Sequence, residues 1–172
     1  MEKILAVVTA LIAQWQVALG GEVEVVLGGS LVSGLFILEG AEAIDVDVRF
    51  LTDDPTNEAL RHRIESVTAL SFRKQIAVND WPSGAQSPGV MVEGKLTHPE
   101  LALPLDVEGC IRNRAYVGWA RFYRTVFSPT ELEAMLAEKL SLRADKKAYK
   151  AFKSGVIAEA QRRCLERGLV KK

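Results

Sequence analysis

Apolar residues near the start of the chain recur at Ile4, Val7, Val8, Leu11, Ile12, Trp15 and Leu19. Spacings of three and four place them on one stripe, which predicts an amphipathic helix packed on a core. MEKILAVVTALIA has the apolar character of a signal peptide, but the stripe continues past the point where a signal would be cut. Gly20-Gly21 ends the pattern and EVEVVL (22–27) reads as a strand. Residues 30–39 are expected to form a short helix capped by Ser30. AIDVDVRFL (43–51) then alternates strictly. Ile44, Val46, Val48 and Phe50 point one way, and Asp45, Asp47 and Arg49 the other.

Asp54 as cap and Pro55 at the first helical position open a helix carrying Leu60, Ile64 and Val67. NDWPSGAQSPG (79–89) reads as a loop from its Pro, Gly and Ser content. VMVEGKL (90–96) and LALPLDVEG (101–109) are expected as two strands joined through the THPE turn. In the second, Leu105 and Val107 face away from Asp106 and Glu108. Ser128-Pro129-Thr130-Glu131 is a capping box, so a helix starts there. A final helix is expected from about Asp145 to Arg167, ending at Gly168. This order predicts an α/β (α+β) fold: a small mixed sheet with flanking helices and a C-terminal helical extension. The expected division is a core of residues 1–127, with the N-terminal helix, and an extension of residues 128–172.

The chain has 172 residues, enough for one domain with a real core, and is 48% hydrophobic, 26% charged and net neutral. It has no 18-residue apolar run, so no membrane partner is expected. Cys110 and Cys164 have neither metal-ligand nor redox spacing, which points to a reducing cytoplasm. Neutrality hides a split: residues 1–110 carry 7 Lys+Arg against 16 Asp+Glu, and residues 111–172 carry 15 against 6. The halves can be two mutually attracting faces, or a metal-binding half beside a phosphate-binding half.

Asp45 and Asp47 share a strand face, about 6.5–7 Å apart at Cα. Carboxylates so placed can converge on hard divalent cations, and Asp106 on a later strand can supply a third. Gly28-Gly29 ends a strand before a helix, where backbone N–H groups suit a phosphate. Lys139 and Arg143 fall within the apolar stripe Leu132, Met135, Leu136, Leu140, and cations on a core-facing side need an anion nearby. A triphosphate in a cleft supplies one.

Gly28, Gly29 and Ser30, then Asp45 and Asp47, then Asp106 resemble the motifs of the polymerase-β-type nucleotidyltransferase superfamily over residues 22–110. LAEKLSLR resembles the lysine-bearing helix of small bacterial members and of abortive-infection nucleotidyltransferase toxins. Those toxins usually continue with an acidic stretch, where this chain reads KKAYK. The resemblance implies a metal-dependent enzyme moving a nucleoside monophosphate from a nucleoside triphosphate to an acceptor hydroxyl. Asp45 and Asp47 would bind two Mg²⁺ (or Mn²⁺) ions. Asp106 would bind one metal and draw on the acceptor hydroxyl. Gly28, Gly29 and Ser30 would cradle phosphates, with Lys139 neutralising them. The acceptor stays open between RNA, a protein hydroxyl and a small molecule.

Other readings stand beside this one. The aspartates can mark the acidic solvent face of an edge strand. They can belong to a haloacid-dehalogenase-type phosphatase, whose second Asp is normally followed by Gly-Thr rather than Val48-Arg49. The chain can be a non-catalytic nucleotide- or nucleic-acid-binding regulator of the same fold, including one partner of a toxin–antitoxin pair. It can also be a structural module that self-associates through its charge split. Glu108 can replace Asp106, and Lys139 can snorkel to solvent or pair with Glu108. His62 and His98 read as surface residues, and Trp81 as packing on the core or stacking on a base. Lys146, Lys147, Lys150 and Lys153 read as a solvated helix face.

Overall fold

The structure is a computed structural model and describes residues 1–115 and 119–171. Its elements are α1 (Glu2–Leu19), β1 (Glu24–Gly28), α2 (Gly29–Ser33), β2 (Ile44–Thr52), α3 (Glu58–Thr68), β3 (Ser71–Asp80), β4 (Ala85–Leu96), β5 (Leu105–Asn113), α4 (Tyr123–Val126), α5 (Pro129–Ser141) and α6 (Lys146–Glu166). The strands form one sheet in the order β1-β2-β5-β4-β3. β2 and β5 pair in parallel and the remaining neighbours are antiparallel. The parallel pair sits centrally because a crossover through α3 and the β3–β4 hairpin returns the chain to β2's open edge.

Strand alternation divides the sheet into two faces with different jobs. Ile44, Val46, Val48 and Phe50 of β2, with Leu105, Val107 and Ile111 of β5, are buried together with α1 and α3 residues. On α1, Ile4, Val8, Trp15 and Leu19 enter this core, and Leu60 and Ile64 enter from α3. Each fully buried large side chain contributes about 1.5–3 kcal/mol. By length and composition α1 is apolar enough to cross a membrane; in this fold its stripe packs on the sheet. A second cluster joins Leu35, Tyr123, Val126, Phe127, Ala160 and Cys164, holding α4 and α6 beside the start of the α2–β2 connection.

Several local expectations shift. The helix after β1 begins at Gly29, with Gly28 in the N-cap position and no side-chain cap, and ends at Ser33 before left-handed Gly34. Ser30 therefore lies inside α2. Asp54 does not cap α3; its carboxylate accepts from the Thr56 backbone N–H at 3.1 Å and hydroxyl at 2.8 Å, closing a turn. Asn57 caps instead, accepting from the Leu60 N–H at 3.0 Å. The expected 79–89 loop is the end of a long β3–β4 hairpin whose register runs from Ser71↔Glu93 to Asp80↔Ala85. Pro88 is tolerated there because β4 meets β5 only from Val90 onward, so the proline needs no N–H partner on that side. The Ser128/Glu131 capping box and the Asp145 cap of α6 form where expected.

Gly109 lets β5 close against the core. A Cβ there would sit 2.7 Å from Val92 Cγ2 and 2.8 Å from Phe50 Cε2. Gly109→Ala is expected to cost about 1–3 kcal/mol through overpacking. Urea denaturation checks this; an unchanged midpoint would mean that Phe50 moves aside freely.

Candidate functional site

Period two along β2 puts Asp45, Asp47, Arg49 and Leu51 on the sheet face opposite the core, where all four line a cavity of about 470 Å³. β1 pairs beside them, with Gly28 opposite Asp47 and Val26 opposite Arg49. Gly28, Gly29 and Ser30 line the same cavity. Gly29 has φ +66°, and a Cβ built on it would fall 1.8 Å from Asp47 Oδ2. The Asp47 carboxylate thus occupies the space that any other residue at 29 would fill. Strand pairing, a left-handed turn and the direction of one carboxylate are fixed together.

Asp106 sits on the neighbouring strand, opposite Asp45 in the parallel register, while Glu108 stands opposite Asp47. The structure therefore brings Asp106 beside Asp45, although it is not among the residues lining the cavity. Asp45 is exposed as a residue, yet burial of its carboxyl pushes its pKa up, and the charges of Asp106 and then Asp47 push it further. Lys139 and Lys153 pull it back. Glu108 is engaged elsewhere: Arg73 reaches it at 3.5 Å and reaches Glu93 at 3.2 Å.

The opposite wall comes from the C-terminal helices. Lys139 lines the cavity and donates from Nζ to the Leu35 carbonyl. The ammonium lies 6.0 Å from the Tyr149 ring centroid. Burial lowers its pKa, Lys153 lowers it further, and Asp45 opposes the shift. Lys139 thus turns inward and does not pair with Glu108. Leu140, at 40% exposure, is the member of the expected stripe that turns out.

On α6, Tyr149, Phe152, Lys153, Val156 and Ile157 present one face to the cavity. Lys153 is exposed, as the solvated-face reading of α6 has it, and it also lines the cavity. Its place between Tyr149, Phe152 and Val156 at helical spacing was the available signal. Trp81 is half-buried in the same wall and packs with the C-terminal cluster.

The wall carries five cations, Arg49, Arg112, Arg121, Lys139 and Lys153, against Asp45 and Asp47. Among the described residues, two of the five stand in ion pairs: Arg112 meets Asp80 at 3.3 Å and Arg121 meets Glu24 at 2.6 Å. Among the described residues, no group of three or more His, Cys, Asp or Glu side chains is gathered to hold a metal ion. The donor chemistry still fits one: burial and the charges of Asp106 and Asp47 push the Asp45 pKa up, and these carboxylates are hard oxygen donors whose repulsion a divalent cation relieves.

No family model matches the sequence, and no curated protein matches it. Solved structures match in fold. Cid1 poly(U) polymerase with MgGTP bound aligns at a TM-score of 0.51 and 16% identity, over 83% of this chain and 44% of that one. A cytoplasmic RNA terminal U-transferase aligns at 0.49 and 16% identity, over 81% of this chain and 39% of that one. The Mg 3′-dATP form of Cid1 gives 0.48 and 16%, over 81% and 42%. The chain spans less than half the length of these polymerases. Its five-stranded mixed sheet with flanking helices is an α+β arrangement that matches the fold of Cid1 poly(U) polymerase.

Proposed function

We propose that the protein transfers a nucleoside monophosphate from a nucleoside triphosphate to an acceptor hydroxyl, releasing pyrophosphate. The observation that carries this reading is the meeting, in one cavity, of the Gly28-Gly29-Ser30 turn, the Asp45–Asp47 pair and Lys139. A pocket of about 470 Å³ falls within the roughly 300–1,000 Å³ usual for small-ligand sites. Asp45 and Asp47 would hold Mg²⁺ (or Mn²⁺), which supplies charge neutralisation on the triphosphate and polarises the acceptor hydroxyl. The backbone N–H groups at the head of α2 lack a side-chain cap and would hold phosphate oxygens. Lys139, with Lys153 beside it, would offset phosphate charge. Asp106, next to Asp45, would take the acceptor proton as its oxygen bonds to the α-phosphorus and the bond to the β-phosphate breaks. Positioning and electrostatics suffice, so no nucleophilic side chain is required.

A non-catalytic nucleotide-binding regulator is the second reading, favoured by one observation: Asp106 stands outside the cavity wall. Incubation with each α-labelled nucleoside triphosphate, Mg²⁺ and a cell extract separates the two. The enzyme reading expects label transferred to an RNA, protein or small-molecule acceptor, and no transfer by the Asp45→Asn, Asp47→Asn double variant. Equal labelling by that variant would remove the aspartates from the site. Binding without labelling would favour the regulator.

Lys139 gives a sharper test. Lys139→Met replaces a half-buried cation with an apolar chain of similar length, so the empty protein should keep or gain stability. Affinity for a non-hydrolysable triphosphate should fall by about 1.5–3 kcal/mol, the scale of a hydrogen bond to a charged group. Calorimetric titration measures both proteins; unchanged affinity would mean that Lys139 only anchors the Leu35 carbonyl.

A further inference from the structure

The sheet has two edges, and the chain treats them differently. β1 forms one of them. Its outer backbone is occupied by Gln16, whose side chain accepts from the Val25 N–H and donates to the Val23 carbonyl, each at 2.8 Å. β3 forms the other edge. Its start is covered, because the Phe72 N–H donates to the Glu65 carboxylate of α3 at 2.7 Å. At its far end Arg112 holds the Asn79 carbonyl at 2.8 Å. Among the described residues, no side chain reaches the backbone between these two points. Beyond the register shift between Phe72 and Lys74, pairing with β4 runs unbroken from Lys74↔Met91 to Asp80↔Ala85. The intervening residues, QIAVN, include no charge and no proline. An open, regular edge without such guards is a template for a strand from another chain.

The residues along that edge specify which chain. A two-fold antiparallel pairing sets each residue opposite one on the same face, so it turns about a single residue. Turned about Ala77, Lys74 meets Asp80 of the second copy, Gln75 meets Asn79, and Ile76 meets Val78. Opposite charges, two amides and two β-branched side chains are thus matched in turn, each pair twice. Cross-strand pairs of this kind stabilise a sheet. Turning instead about Ile76 would set Lys74 against Val78, and about Val78 would set Asp80 against Ile76. The unbroken stretch from Lys74 to Asp80 is itself centred on Ala77. Ile76 and Val78 are half-buried and lean over Gly89, where a Cβ would stand 3.4 and 3.2 Å from their Cγ1 atoms. Their remaining apolar surface lies at the seam.

We infer that the β3 edge is the interface with a second copy of this chain. The two sheets join antiparallel through Lys74–Asp80, in register about Ala77, as one continuous sheet with five strands from each copy. The two-fold axis stands perpendicular to that sheet, so both cavities open on the same face.

Cysteine cross-linking in the full chain tests both partner and register. Directly opposite residues of an antiparallel pair lie about 4.5–5.5 Å apart at Cα, within disulfide reach. Under mild oxidation, Ala77→Cys should form a covalent dimer by itself. Gln75→Cys and Asn79→Cys should each give no covalent dimer alone and should cross-link when mixed. Cys110 and Cys164 are buried, so wild type supplies the background. Lys74, Gln75, Ala77 and Asn79 are exposed, and circular dichroism checks that each variant folds. In sedimentation equilibrium, Lys74→Glu sets like charges opposite each other at both ends of the seam. It should raise the dimer Kd about tenfold or more over wild type.

A wild type that stays monomeric up to about 1 mM overturns the interface. So does equal cross-linking of all three cysteine variants alone, or a dimer that Lys74→Glu leaves unchanged, because the copies then meet elsewhere. Cross-linking of Ala77→Cys to other proteins of a cell extract, but not to itself, gives the edge to a foreign strand and overturns it equally.

Discussion

Residue 29 and residue 47 cannot be chosen independently. The carboxylate of Asp47 fills the position where a Cβ at residue 29 would stand, 1.8 Å from Oδ2. Antiparallel pairing of β1 with β2 places Gly28 opposite Asp47, and left-handed Gly29 then turns the chain into α2. An alanine at 29 would need both a strained backbone and a displaced carboxylate. This single contact couples the turn, the head of α2 and the aim of a candidate metal ligand.

The charge split along the chain finds its meaning in the same cavity. Residues 1–110 supply Asp45 and Asp47, and the basic half supplies Arg112, Arg121, Lys139 and Lys153. Ion pairs Arg114–Asp53, Arg112–Asp80 and Arg121–Glu24 tie the two halves together. One cleft thus gathers charges of both signs, with Arg49 beside the aspartates on β2, which suits a cation and a polyanion bound together. The sheet underneath keeps this charge away from the core, because alternation sends every second residue of β2 and β5 to each face.

What could be read beforehand follows from where the decisive forces act. Strict alternation at 44–51 specified β2 and its faces, since one face is wholly buried. The Ser128/Glu131 box and the Asp145 cap are local hydrogen-bond motifs that need no tertiary partner, and both formed where expected. β3 was hidden because Ser71–Gln75 are exposed and carry no apolar period. Its strand character comes from pairing with β4. The start of α3 was misplaced because Asp54 and Asn57 are both good caps, and Asp54 spent its carboxylate on Thr56. The cavity-lining place of Lys153 was hidden for another reason: which face of α6 turns inward depends on packing of Ala160 and Cys164 with Tyr123, Val126 and Phe127, not on its own pattern. Asp106 was readable as a neighbour of Asp45, but its position outside the cavity wall depends on sheet geometry.

The central claim is that a divalent cation and a triphosphate share the Asp45–Asp47 face. Anomalous diffraction from a crystal grown with Mn²⁺ and a non-hydrolysable nucleoside triphosphate tests it directly. A manganese peak bridging the Asp45 and Asp47 carboxylates, with phosphates against Gly28, Gly29 and Ser30, is the predicted result. Phosphates bound with manganese elsewhere, or no ordered metal between the two aspartates, would contradict it.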